Sequence, residues 1–233
     1  MPMIRRALML AGLVAVVTAG AWWFAGRNAR PDPIVVLVNQ MRTRAVIEHE
    51  RRITVWYRSC PEVTGINPEV FVIWPGRLLY TLDLARSELT LKGDVLRVTT
   101  PPIEVEEPAV PSDLAQFIAN KPFWNLTTDA AIGNAAIQKA TPVARYLSLY
   151  FLNHDASVRT YFVKEIDSYL RGVAGALGVN VREVVVDIAE AKRQAAALPK
   201  LELCTGSAAA ANGVPFVRES QGDYIYLFPK AGN

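Results

Sequence analysis

A change of hydrophobic period near Pro108 and Pro111 constrains this chain more than any other feature. Before it, from Ala45 to Thr100, apolar, β-branched and aromatic residues alternate with polar ones; after it, from Ser112 to Leu177, apolar residues recur every three or four positions. A period of two is what a strand with one covered face requires, and 3.6 is that of a helix with one covered stripe. The expected fold class is therefore α+β, an antiparallel sheet followed by a helical segment and a short C-terminal β element. The divisions are a β-rich part over residues 43–105, a helical part over 112–178 and a mixed part over 179–233.

Within the β-rich part, Val46, Glu48, Ile53, Val55 and Tyr57 mark a half-covered strand, and Val70-Phe71-Val72-Ile73-Trp74 a compact one. Pro75-Gly76 reads as a turn leading to a further strand, Leu78 to Leu84, and Lys92-Gly93-Asp94 as a tight hairpin between Leu89-Thr90-Leu91 and Val95–Thr99. Such connections are too short for parallel crossovers. The segment Pro33–Met41 reads as a short helix or a strand. Glu104 to Ser112 reads as an extended linker, with Ser112 or Asp113 capping a helix through Gln116.

Helices follow over Ile132–Lys139, Val143–Leu152 and Ala156–Leu177, with Pro142 separating the first two. The third is the clearest, for Val158, Phe162, Ile166, Tyr169, Leu170, Val173 and Leu177 share one face, Asp155 precedes it and Gly178 follows. The aromatic stripe Tyr146, Tyr150, Tyr161, Phe162 and Tyr169 reads as core. Val181–Ile188 reads as a strand, Glu190–Leu198 as a short helix stopped by Pro199, and Val214–Phe228 as a hairpin around Ser220-Gln221-Gly222-Asp223.

Ahead of all this lies an uncharged, mostly apolar run from Ala7 to Ala25, preceded by Arg5-Arg6. About 19 residues at 1.5 Å rise match a hydrocarbon core of roughly 30 Å, so residues 1–30 are expected to be an N-terminal membrane anchor with one transmembrane helix. The competing reading is a cleaved secretory signal, with Ala19-Gly20-Ala21 as its cleavage site. Trp22-Trp23-Phe24 favours retention, since such aromatics sit at headgroup level. Either way residues 31–233 are expected outside the cytoplasm, tethered to the inner membrane if the anchor is kept, although Arg27 and Arg30 nearly balance Arg5 and Arg6.

An N-terminal anchor, Ile53-Thr54-Val55-Trp56-Tyr57, Gly76 through Leu84, Lys92-Gly93-Asp94, and Leu96 through Val105 together resemble a bacterial family of membrane-anchored domains of unknown function, DUF forty-two-thirty. The resemblance covers roughly residues 43–110 and, more loosely, Leu177-Gly178-Val179. It implies a bacterial envelope protein and supplies no reaction and no catalytic residues. Trp74-Pro75 and the longer segment after Ala189 depart from the family's pattern.

A hydrophobic fraction of 51% with 20% charged residues is that of a folded domain, and a net charge of +3 with interspersed signs leaves no footprint for nucleic acid. Arg42, Arg44, Arg51 and Arg52 offer at most a mild attraction to anionic headgroups. Two cysteines and two distant histidines give no metal spacing, and no cofactor motif, G-x-S-x-G elbow or P-loop is present. In an oxidising compartment Cys60 and Cys204 can form a disulfide, which would constrain the unfolded chain by about 5 kcal/mol; the alternative is two buried thiols. His154-Asp155 reads as a polar pair at a helix start rather than a dyad, and Glu104, Glu106 and Glu107 as a solvated linker. The expected role is a non-enzymatic binding or scaffolding module whose partners are the lipid bilayer, through the anchor, and an envelope protein. The alternative is an envelope hydrolase with an atypical site at His154, Asp155 or the set Arg77, Asp83 and Asp94.

Overall fold

The computed structural model describes residues 32–43, 46–63, 67–121, 126–190, 199–204 and 216–229. In chain order they form α1 (Pro33–Thr43), β1 (Val46–Ser59), β2 (Glu69–Asp83), β3 (Glu88–Lys92), β4 (Val95–Thr100), β5 (Glu104–Val105), β6 (Gln116–Asn120), α2 (Asp129–Ile137), α3 (Ala140–His154), α4 (Ala156–Ala176), β7 (Glu183–Ile188), β8 (Phe216–Gln221) and β9 (Tyr224–Pro229). The class is mixed α+β. Residues 7–25 and 191–198 lie outside the described residues, and so do the anchor and most of the helix expected over Glu190–Leu198. Among the described residues no helix is long and apolar enough to cross a membrane.

The strands divide into two sheets. One is six-stranded in the order β5-β2-β1-β9-β8, with β6 also paired to β2; the other is β3-β4-β7. The early strands pair antiparallel, as their short connections require, whereas β9 joins β1 and β7 joins β4 in parallel. The single early sheet expected over residues 45–100 is thus corrected, since β3 and β4 leave it. Asp83 causes the departure: its side chain accepts the Ala85 N–H at 2.9 Å and Arg86 Nε at 2.8 Å, which bends the chain into a 3-10 turn at Leu84–Arg86. Gly93, at φ +63°, then supplies the left-handed turn between β3 and β4.

Pro75-Gly76 is not a turn. Both residues lie inside β2, paired with Thr54 and Ile53. On its outer side β2 pairs with β6 as far as Ile73 and meets Ala109 at Arg77, whose N–H donates to the Ala109 carbonyl at 2.9 Å. Residues two apart on a strand direct their N–H to the same side, so Pro75 falls in the gap between these partners, where its missing donor costs nothing. Gly76 lets the Trp74 ring and Ile53 close over the backbone, for a Cβ there would meet them at 3.1 and 3.3 Å.

The linker and the helix expected through Gln116 are corrected as well. Glu104–Val105 and Ala109 pair with β2, Ser112–Leu114 is one 3-10 turn, and Gln116–Asn120 is the strand β6. Its alternation decides this, with Phe117 and Ala119 turned inward and Ile118 out. The Phe117 ring lies on Gly133 of α2, where a side chain would collide with it.

Pro33–Met41 resolves as the helix α1. Pro142 sits in the first turn of α3 rather than before it, where the absent N–H has no intrahelical acceptor, and the break falls at Gln138–Lys139. Thr128 and Asp155 cap α2 and α4 through Ala131 and Ser157.

In the six-stranded sheet one face is fully covered. α2 and α3 pack on β2, while α4 touches both β1 and β7 and so joins the two sheets. Trp74, Leu78, Tyr80, Leu82, Ile132, Leu147, Phe162 and Ile166 are fully buried in one continuous core. The Tyr57 hydroxyl donates to the Ala136 carbonyl at 2.6 Å and the Tyr80 hydroxyl to that of Ser148 at 3.2 Å, satisfying the only polar atoms of those side chains.

Candidate functional site

Cys60 and Cys204 are bonded, with Cα atoms 5.2 Å apart. Backbone pairing brings them together: the Cys60 N–H donates to the Glu202 carbonyl at 2.6 Å, and that of Cys204 to the Arg58 carbonyl at 3.2 Å. The 199–204 segment is thereby held along the end of β1. That the sulfurs belong together was visible only as an even count, because the pairing depends on a bridge between Ser59 and Leu203, 144 residues away in sequence.

The other sequence candidates are dispersed. Asp155 caps α4 and pairs with Arg51 at 2.6 Å, while His154 stands against the Tyr150 ring at 4.6 Å. They form no dyad. Arg77 has Glu50 at 3.9 Å, Asp83 pairs with Arg86, and Asp94 pairs with Arg182 from beside β7. Glu104 faces Arg86, and Glu106 receives the Thr81 hydroxyl. No two of these carboxylates are opposed across a cleft, and among the described residues no group of three or more His, Cys, Asp or Glu is placed to hold a metal ion.

A polar cluster that the sequence pattern hid lies where β1 meets α3 and α4. His49 and Arg51 occupy inward positions, which alternation alone assigns to apolar residues. Arg51 lies 4.0 Å over the Phe151 ring and binds Asp155; His49 stacks on Tyr161 at 4.1 Å. Partial burial alone would raise the Asp155 carboxyl, but hydrogen bonds from Ser157 and Arg51, together with the Arg51 charge, bring it to about 2. Burial, and then the Arg51 charge, hold the His49 imidazole below its ordinary value. At neutral pH the carboxylate is fixed in its charged form by three tasks at once, which suits a structural joint rather than proton transfer.

The opposite face of the six-stranded sheet has a different character. Even positions of β1 and odd positions of β2 point outward, and there Trp56, Phe71, Ile118 and Phe228 are 38%, 53%, 73% and 44% exposed. The register aligns them in rows, Trp56 beside Ile73 and Tyr226, Phe71 beside Arg58 and Ile118. Between the rows runs an apolar groove of about 510 Å³, within the ~300–1,000 Å³ of small-molecule clefts. Cys204 reaches its rim, so the disulfide fixes one wall. Arg58 lies 5.9 Å over Phe71 and is paired with Glu69, closing one end. The Trp56 and Tyr226 rings, 6.3 Å apart, line it together.

The next outward rows open into a second recess of about 610 Å³, lined by Arg52, Thr54, Pro75, Arg77, Leu114 and Tyr224 among others. Arg52 and Arg77 are directly cross-strand neighbours. Both lean on one carboxylate, Glu50, at 2.9 and 3.9 Å, and like charges so placed repel. No protein-family model, no characterised protein and no solved structure matches the chain.

Proposed function

We propose that this protein is a membrane-tethered binding module of the bacterial envelope, held by a helix over residues 7–25, and that the outer face of its six-stranded sheet takes the partner. The exposure of Trp56, Phe71, Ile118 and Phe228 around one groove carries this reading. Soluble domains rarely leave such side chains contiguous and uncovered unless something binds there. The bonded pair Cys60–Cys204 supports placement outside the cytoplasm, where disulfides persist. The resemblance of residues 43–110 to DUF forty-two-thirty implies the same envelope location and adds no activity.

The dispersal of the carboxylates and the fixed charge of Asp155 give the hydrolase alternative no assembled site among the described residues. In-cell photocrosslinking of the intact protein tests the reading, with a photoreactive residue at 56 or 71 and, for contrast, at Thr90 or Arg97 of the small sheet. Adducts confined to 56 and 71 are expected. Equal adducts at all four positions, or none, would overturn the outer face as the binding site; failure of external protease to reach the ectodomain in spheroplasts would overturn the placement.

A further inference from the structure

The outer face carries two features that fit one ligand class. Its groove is walled by aromatic and aliphatic side chains, and its floor lies on β1, whose backbone groups are engaged by β2 on one side and β9 on the other. The floor therefore has no main-chain donors or acceptors to offer. An extended peptide lying in it would bury its own amides without partners, at a cost of several kcal/mol each in an apolar setting. A hydrocarbon chain has no such groups to satisfy.

Toward the second recess the chemistry changes sign. Arg52 and Arg77 are exposed, at 83% and 59% of their side chains, and Arg77 has its nearest carboxylate at 3.9 Å, beyond hydrogen-bond distance. A guanidinium in that position presents its fork of donors to an incoming oxyanion. Glu50 contacts both arginines and Asp223 lines the recess, so an oxyanion there is held by the guanidinium donors and not by an excess of charge, which suits a singly charged carboxylate better than a doubly charged phosphate.

From the row of Arg52 and Arg77 to the row of Trp56 and Ile73 is four residues along β1 and β2, about 14 Å at 3.4 Å per residue. One acyl chain spans half of a hydrocarbon core of roughly 30 Å, about 15 Å, so a chain anchored at the arginines enters the groove beside Trp56 and ends short of the Phe71 row.

We propose that the outer face binds a free long-chain fatty acid, its chain lying along the groove between Trp56 and Phe71 and its carboxylate held by Arg52 and Arg77. This rests on the outer face being the binding surface, and it names the ligand.

The test uses the full-length protein in bilayer vesicles with a diazirine-bearing, alkyne-tagged palmitate, the labelled residues being mapped by mass spectrometry. Labelling is expected on Trp56, Phe71, Ile118 or Tyr226, reduced about tenfold or more in the Arg52→Gln/Arg77→Gln double variant, as loss of a charge-assisted bond implies. Both arginines are exposed, and an unchanged urea midpoint shows that the variant folds. Dodecanoate should displace the probe and dodecyl maltoside should not. Labelling of the outer face that survives the double substitution, or that dodecyl maltoside displaces equally, overturns the carboxylate assignment and leaves the face as an apolar binding surface. Absence of lipid labelling with protein crosslinks at positions 56 and 71, to another protein or to a second copy, overturns the fatty acid alone. Absence of both overturns the proposal together with the function it rests on.

Discussion

The two faces of the six-stranded sheet are built from the same strands with opposite outcomes. On the inner face Val55, Tyr57, Val72, Trp74, Leu78 and Tyr80 vanish beneath three helices; one residue further along each strand, Trp56, Phe71 and Ile73 meet solvent or a groove. The outer face also carries charged residues, Glu48, Glu50, Arg52, Arg58 and Arg77 among them, yet its large apolar side chains show that apolar character at one position does not say whether that position holds the molecule together. Cover does. An inner aromatic contributes its transfer free energy and its packing to folding, whereas an outer one contributes little until something covers it.

The largest expected contrast is at Trp74, paired in register with Val55 and buried to 0%. Trp74→Ala should lower stability by about 3–5 kcal/mol and shift the urea midpoint accordingly, because the cavity cannot collapse under α2 and α3. A loss below about 1 kcal/mol would mean that the inner face is not the core. Next comes the disulfide. Cys60→Ser/Cys204→Ser should cost about 2–5 kcal/mol, given a sequence separation of 144 residues, and should widen the outer groove by freeing its Cys204 wall. Unchanged stability under reduction would sever that link between the faces.

A smaller effect belongs to the polar joint. Asp155 titrates at about 2 in the folded protein against 3.8 ordinarily, so its contribution is fully present above pH 4–5 and is lost as pH falls through about 2. Asp155→Asn retains a capping side chain, so it isolates the Arg51 pair. Screened by solvent, the loss should be about 1 kcal/mol at pH 7 and should vanish near pH 2. A difference that persists to pH 2 would contradict the ion pair as its source. Least affected should be Phe71→Ala on the outer face, at about 0.5 kcal/mol, measured in the same urea titration.

How far the sequence discloses these contrasts depends on the range of the interaction that decides each element. The β1 alternation, the α4 stripe with its Asp155 cap, and the hairpins at Gly93 and Gly222 are settled by neighbours within a few residues, and they stand where periodicity and turn chemistry put them. Pro75-Gly76 carries the local signature of a turn, yet a gap in the neighbouring strands makes it part of β2, and nothing in residues 70–80 announces that gap. Gln116–Asn120 is too short for its period to outweigh a capping signal at Ser112, and only pairing with Glu69–Ile73 makes it a strand. The parallel partners β7 and β9 arrive from late in the chain, beyond any local pattern.

The candidate site was less legible still. Outward positions of β1 and β2 follow from alternation, but whether a helix covers that side does not, since every apolar residue reads first as core. The arginine pair became visible only through register, which sets Arg52 opposite Arg77. His49 and Arg51 broke the inward apolar pattern, and that break was the one local sign of the joint with Asp155.

The central claim is that the outer face is kept for binding and not for folding. It is tested most directly by the urea midpoint of a protein in which Trp56, Phe71, Ile118 and Phe228 are all replaced by threonine, a residue suited to exposed strands. The unfolding free energy obtained from that midpoint is expected to stay within about 2 kcal/mol of the unsubstituted protein's. A fall as large as that of Trp74→Ala would contradict it, and would make the outer face a part of the core.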